Sequence, residues 1–351
     1  MELVSLALFL TGPALAEGLG GAGYGVPVDG FPTQAERQLL LWTNAARVAP
    51  EEFENEYQGA GCSYDDFEPG EQSPKAPLYI DLDLTEVSRW HSEQMEQNDC
   101  FQHESCDGSN EDFGTRVARY YTETGYIGEN IAMGVADARY AVMSMWMCSS
   151  GHRANIQSAD YNEMGPGVSG VYLTQDFAAG TLGEGTPPVR MAVDDGSGTW
   201  RADWGDTDAP VTLELVIDGV EADMVLAFGA PELGIYSLAI EAAEPAGETD
   251  AAEGCRGWYV YWETAAGATG TFPEEGSWLV GDCDGEDWEP LQAPKGGLFG
   301  DIPEEDLEGA MMDDLALVGC AAAPIGPAHG AFGAVGVLVA LAGLRRRRTE
   351  A

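Results

Sequence analysis

Histidine is scarce in this chain, four residues in 351, and positive charge is thin: sixteen Lys and Arg stand against sixty Asp and Glu, for a formal net charge of −44. Residues 345–348 are all arginine, so the rest of the sequence is more anionic still. Such a balance excludes a nucleic-acid partner, because phosphate contacts need clustered basic side chains. It is what a solvated, self-repelling surface requires, most of all in a salty medium that screens it. The sequence has no Cys-x-x-Cys pair, which argues against a thiolate metal site, and no Gly-x-Ser-x-Gly elbow, which argues against a serine hydrolase of that type.

The ends carry what long apolar segments there are. Residues 3–15 form a short apolar run closing on Ala14-Leu-Ala16, a small-residue pattern suited to cleavage before Glu17, although no Lys or Arg precedes it. Residues 1–16 are therefore expected to be a signal peptide, with Ala16 at the processing position, and residues 17–32 a flexible glycine-rich spacer. Near the other end, Gly319-Cys320 precedes an apolar run over 330–344 and the arginine block. That run is short for a span, which needs about 20 residues, and the arginines fit a positive-inside stop. The order Gly-Cys, apolar helix, arginine cluster resembles the myxobacterial C-terminal sorting signal. The resemblance implies that Cys320 is the processing position and possible lipid-attachment point, and that residues 320–351 attach the protein to the cell envelope at the outer surface. A plain membrane anchor is the alternative. Residues 293–319, acidic and poor in aromatics, read as a stalk.

The remaining cysteines come in even numbers: Cys62, Cys100, Cys106 and Cys148 in one stretch, Cys255 and Cys283 in another. Disulfides in an oxidising compartment are the expectation. Among the first four, three pairings are open; a Cys100–Cys106 bond would close a small loop around His103 and fix its orientation.

Thr33 and Glu36 form a capping box that opens a helix running to about Val48, before Pro50 stops it. Leu84, Val87, His91 and Met95 recur at helical spacing over 84–98 and make His91 a core histidine. Residues 114–124 and 136–147 read as further helices and 164–177 as strand. From 188 to 292 short segments rich in β-branched and aromatic residues (211–217, 224–228, 235–240, 258–263) are separated by Gly, Asp and Pro, the pattern of a small antiparallel β-sandwich stapled by Cys255 and Cys283. The acidic run 282–287 lacks the spacing of an EF-hand loop.

Motifs follow in a specific order between 33 and 179: Asn44-Ala-Ala-Arg47, Pro77-Leu78, His91-Ser-Glu-Gln-Met95, then Cys100-Phe-Gln-His-Glu-Ser-Cys106, Gly128-Glu-Asn-Ile-Ala-Met-Gly134, Trp146, Gly151-His-Arg-Ala-Asn-Ile156, Gly165-Pro-Gly167 and Tyr172-Leu-Thr-Gln-Asp-Phe177. This stretch resembles the CAP superfamily (cysteine-rich secretory proteins, antigen 5, pathogenesis-related 1 proteins) in its bacterial SCP-like form. The resemblance implies an α+β fold, an α-β-α sandwich with a central antiparallel sheet over 33–179. It also implies a cleft lined by two histidines and two acids, able in several members to hold a divalent cation such as zinc. By motif His103 and His152 are the histidines and Glu129 the first acid. Ser149 stands where eukaryotic members have the second, which leaves one carboxylate at most.

Two neutral imidazoles and a carboxylate can bind a divalent metal and acidify its water, and without metal Glu129 could orient an imidazole as a base. The same residues can also hydrogen-bond one another as pure architecture. Asn44 and Arg47 read as ties between elements, Asn130 as a residue pinning a turn, and Cys148 as a disulfide partner in preference to a reactive thiol. The expected function is a secreted, surface-anchored binding module with a lipid, peptide or polymer ligand. The alternatives are a metal-dependent extracellular hydrolase using the same cleft and an adhesin acting through the β-sandwich.

Overall fold

The computed structural model describes residues 24–122, 125–182, 186–240 and 254–295. The leader, Cys320, the C-terminal apolar run and all but the first residues of the acidic stalk lie outside them. Apart from Gly254, the described residues pack as one compact unit, and among them no helix is long and apolar enough to cross a membrane.

Seven α-helices occur in it: α1 (Gln34–Val48), α2 (Glu54–Ala60), α3 (Pro69–Gln72), α4 (Leu82–Asn98), α5 (Phe113–Val117), α6 (Ala138–Tyr140) and α7 (Ser150–Ile156), with a π-helical stretch over Ala141–Trp146. The capping box at Thr33 and Glu36 forms as expected. Helix α4 starts at Leu82, two residues before the expected Leu84, because Asp81 caps it, its carboxylate accepting from the Leu84 amide. The segment expected to be helical over 136–147 divides into α6 and the π-helical turns, and α5 ends at Val117, well short of 124.

The central sheet has the order β1 (Tyr79–Ile80), β3 (Glu163–Ser169), β4 (Tyr172–Ala178), β2 (Ile127–Met133). It is not wholly antiparallel: β1 runs parallel to β3. Helix α4 lies so close to β3 that a Cβ on Gly165 or Gly167 would run into its backbone at Leu84 or Ser88, which is why that motif needs glycine.

Two further sheets follow. One has the order β5 (Ala192–Asp194), β6 (Thr199–Gly205), β10 (Leu233–Ala239), β9 (Val225–Ala230). The other runs β14 (Trp288–Glu289), β13 (Ser277–Val280), β11 (Arg256–Glu263), β7 (Thr212–Ile217), β8 (Val220–Asp223), with β12 (Thr269–Phe272) also on β11. All their pairings are antiparallel, as the short β-rich segments require, and Cys255 is bonded to Cys283.

These sheets share a core with the first half of the chain. One contiguous apolar cluster includes Leu39, Leu40 and Trp42 of α1 together with Trp200, Trp204, Ile235, Trp258 and Trp278. Polar ties reinforce it. Asn44 donates to the Leu78 carbonyl (3.0 Å) and to Asp203 Oδ2 (2.6 Å), and accepts from the Leu78 amide (2.7 Å). Arg47 donates to the carbonyls of Ala76, Ile156 and Ser158 at 2.6 to 2.8 Å, and burial lowers its pKa to about 9. The described part of the glycine-rich stretch is packed, not a free spacer: Tyr24 is buried, with its ring against Tyr79 and Phe272, and its hydroxyl donates to the Arg190 carbonyl.

Burial raises Asp81 to about 7 and Asp203 to about 6. Because the folded values exceed the unfolded ones, each carboxyl adds stability that is complete below about pH 4 and fades as the pH rises through its folded value. His91, lowered to about 4 mainly by burial, acts oppositely below about pH 6.5. The two aspartates, together with the raised Asp176, outweigh the lowered imidazoles of His91 and His152, so thermal melts should show a higher midpoint at pH 5.5 than at pH 8. A lower one would refute this balance. Asn44→Ala, which orphans buried partners on two elements, should cost about 2–3 kcal/mol in denaturant melts.

Candidate functional site

The site grows from β2, the edge strand of the central sheet, and from the two loops that flank it. Glu129 lies in the middle of β2, in register with Asp176 of β4, and its side chain is 1% exposed. A buried carboxylate needs partners, and each Glu129 oxygen has at least one. Its Oε1 accepts from His103 Nδ1 at 2.7 Å, and its Oε2 pairs with the Arg116 guanidinium. Arg116, fully buried on α5, also donates to the His103 carbonyl at 2.8 Å.

The loop carrying His103 is pinned at each step. Helix α4 ends at Asp99 in the left-handed conformation, and the Cys100 amide returns to the Met95 carbonyl at 3.0 Å. Cys100 is bonded to Cys106, the pairing that closes a loop around His103. Inside it, the Gln102 carbonyl accepts from His91 Nε2 at 3.0 Å, and the Ser105 amide donates to Glu111. His103 itself is 52% exposed at its side chain. With Nδ1 facing the carboxylate, its Nε2 is the nitrogen turned to other partners. The Glu129 hydrogen bond raises its pKa.

His91 is the core histidine its helical position predicts, fully buried, yet Nε2 also lies 3.9 Å from Glu129 Oε2. Burial keeps it neutral, with a pKa of about 4.

His152 sits on α7, near enough to His103 to feel its charge. Cys148, bonded to Cys62, ties the start of this segment to the loop before α3, so the reading of Cys148 as a free thiol falls away. Two amides dock α7 on β2: Asn155 donates to the Glu129 carbonyl (3.2 Å) and Asn130 Oδ1 (2.9 Å), and Asn130 donates to the His152 carbonyl (3.1 Å) and Gln175 (3.0 Å). Asn130 thus bridges helix and strands and pins no turn. Gly128 is required because a Cβ there would meet the Tyr161 hydroxyl and the Asn155 oxygen. The pKa of His152 is lowered by burial and then by the charge of His103, and its Nδ1 is buried with no hydrogen-bond partner among the described residues. Ser149 caps α7 without a side-chain hydrogen bond.

Sequence reasoning allotted one carboxylate to this region, and the structure adds another. Asp176 is fully buried opposite Glu129, accepts from Ser88 at 2.7 Å, and has Oδ1 unpartnered among the described residues. Burial first, then the Glu129 carboxylate, hold its pKa well above the usual range. Asp176 was legible only as part of a strand motif, and Arg116 carried no motif at all; a lone arginine between two candidate loops was its only signal. Among the described residues, no group of three or more His, Cys, Asp or Glu side chains is arranged to hold a metal ion.

Arg116→Met should strand the Glu129 charge and cost about 3–5 kcal/mol in chemical denaturation. Glu129→Gln should bring the NMR titration of His103 down towards the ordinary histidine value; an unmoved titration would show that the contact does not govern it.

Residues 42–178 match the model of the cysteine-rich secretory protein (CAP) family. The chain is 38% identical over 146 residues to the uncharacterized membrane protein YlbC of Bacillus subtilis (strain 168), covering 41% of this chain and 34% of that one. It is 36% identical over 104 residues to the uncharacterized protein YkwD of the same organism, 29% and 39% of the two chains. The chain therefore spans little more than a third of either curated relative. Among solved structures, it is similar to an extracellular protein containing a SCP domain from Bacillus anthracis (31% identity, 29% of this chain and 34% of that one, TM-score 0.28). It is also similar to an outer surface protein of Borrelia burgdorferi (15% identity, 45% and 99%, TM-score 0.29).

Proposed function

We propose, for a chain whose residues 42–178 match the CAP family model, an extracellular binding function centred on a cleft between His103 and His152, in which Glu129 orients an imidazole instead of acting as a base. The observation that carries this reading is the engagement of both Glu129 oxygens, one by His103 and the other by Arg116. A general base must come within hydrogen-bond reach of the proton it takes, and a carboxylate 1% exposed, held between an imidazole and a buried guanidinium, is poorly placed to reach a ligand. The apolar leader and the three disulfides support action outside the cell. Residues 320–351 would attach the protein to the cell envelope.

Zinc or a similar divalent cation is the class of ion that two imidazoles would take, with no third side chain arranged to join them among the described residues. His103 would offer Nε2 and His152 a second nitrogen, while a carboxylate behind the metal-bound imidazole is the usual outer-shell arrangement. Two imidazoles leave the remaining positions to water or ligand, and a bound cation would supply a Lewis-acid centre there. Isothermal titration of the purified full chain with zinc should give near-stoichiometric binding, lost in the His103→Ala/His152→Ala double variant. No binding of any divalent metal at saturating supply would remove the cation from this reading. Metal-dependent turnover of peptides or esters that disappears in Glu129→Gln with the fold intact would replace it with the hydrolase. Binding to cells or polymers through the second and third sheets is an adhesin reading, tested in the whole chain because those sheets share their core with α1.

A further inference from the structure

We propose that the groove between the C-terminal end of α1 and the β9–β10 turn binds a short basic peptide segment, an apolar side chain on its floor and Lys or Arg along its rim. The groove encloses about 640 Å³ and is built where the two halves of the chain meet. That volume is in the range of ordinary ligand pockets. None of its lining residues belongs to the histidine cleft.

Buried Val48 and Pro50 with half-buried Leu233 give the groove an apolar floor, and Pro74, also in the lining, is exposed. Every charged side chain lining the groove is acidic: Glu51, Glu52, Asp206 and Glu232. All four are exposed; Glu52 Oε1 accepts from the Gly229 amide at 2.8 Å and Asp206 Oδ1 from the Thr207 amide at 2.7 Å. The backbone adds to the same polarity. Helix α1, 15 residues long, ends at Val48 and is capped at Ala49 on the groove wall. The negative end of its dipole therefore points at the groove, a place that favours cations.

The combination selects the ligand. An anionic membrane surface is repelled by the rim. A simple polyamine answers the charges but leaves the floor wet, so it forgoes the burial that distinguishes this groove from the generally acidic surface. A peptide that alternates apolar and basic residues satisfies both, since successive side chains of an extended segment point to opposite sides.

The test uses the full chain and a fluorescein-labelled hexapeptide of alternating Leu and Arg, read by fluorescence anisotropy. The triple variant Glu51→Gln/Asp206→Asn/Glu232→Gln should bind about tenfold more weakly, as three rim charges of ordinary strength imply. A matched control on an exposed acidic loop, Asp282→Asn/Asp284→Asn/Glu286→Gln, removes the same charge and should lose less than about twofold. Equal losses in the two variants would show general attraction to an acidic protein and overturn the proposal. So would absence of binding, or a peptide with Ser in place of Leu, or spermine, binding as tightly as the Leu-Arg peptide. Because the substituted side chains are exposed, thermal melts of both variants should match the parent.

Discussion

A helix whose last ten residues, Leu39 to Val48, are all buried has nowhere but the protein interior to send their polar side chains, and that demand on α1 shapes the molecule to either side of it. Its apolar positions fill a core common to the central sheet and to the two later sheets. Its polar ones then have to find partners in both directions. Thr43 accepts from Gln175 of β4, Asn44 reaches Asp203 of β6 and Leu78, and Arg47 gathers carbonyls from the segment after α7. Loosening α1 would therefore disturb the site and the later sheets together, which makes the two halves of the chain one cooperative object.

The same ties reach the candidate site. From Thr43 the chain of amides runs through Gln175 to Asn130 and on to Asn155 and the His152 carbonyl. The segment carrying His152 is thus anchored through the sheet to the buried helix. The loop carrying His103 is anchored separately, by the Cys100–Cys106 bond, by the His91 contact to the Gln102 carbonyl, and by Arg116 between the His103 carbonyl and Glu129. Two imidazoles held by independent supports keep their relative placement without relying on a ligand, the condition under which binding costs least ordering. The hydrogen bonds among these supports are buried or part-buried, which limits competition from water; the His103 ring is left half-exposed.

What could be read from the sequence follows from where the controlling interactions lie. The start of α1 was legible because a capping box is local, and α4 because its buried face repeats at helical spacing. Strand β2 was not, although it carries Glu129. Ile127 to Met133 places Glu129 and Asn130 side by side within a buried stretch, and those polar residues are tolerated only because Arg116, His103, Asn155 and Gln175 arrive from distant parts of the chain. Alternation fails as a signal wherever long-range partners satisfy buried polar groups. The disposition of Asp176 was hidden for the same reason, since its burial follows from the register of β4 against β2. The packing of Tyr24 was masked by composition: glycine-rich sequence suggests freedom, and only the distant Arg190 and Phe272 show where the ring goes.

The acidity of the chain acts on both candidate ligand sites, and they should answer differently to salt. A net charge of −44 raises the local concentration of any cation near the surface, but at physiological ionic strength that influence decays over about 8 Å. What remains close in is local chemistry. Imidazole nitrogens select borderline metals through coordination bonds that added monovalent salt scarcely weakens, whereas a rim of exposed carboxylates attracts a basic side chain through the very interactions salt screens. An apolar floor moderates this loss, because burial of hydrocarbon is not screened. A cation held in the cleft would thus survive conditions under which a peptide in the groove keeps only its apolar contribution. The surface charge brings cations to both places and specifies neither ligand.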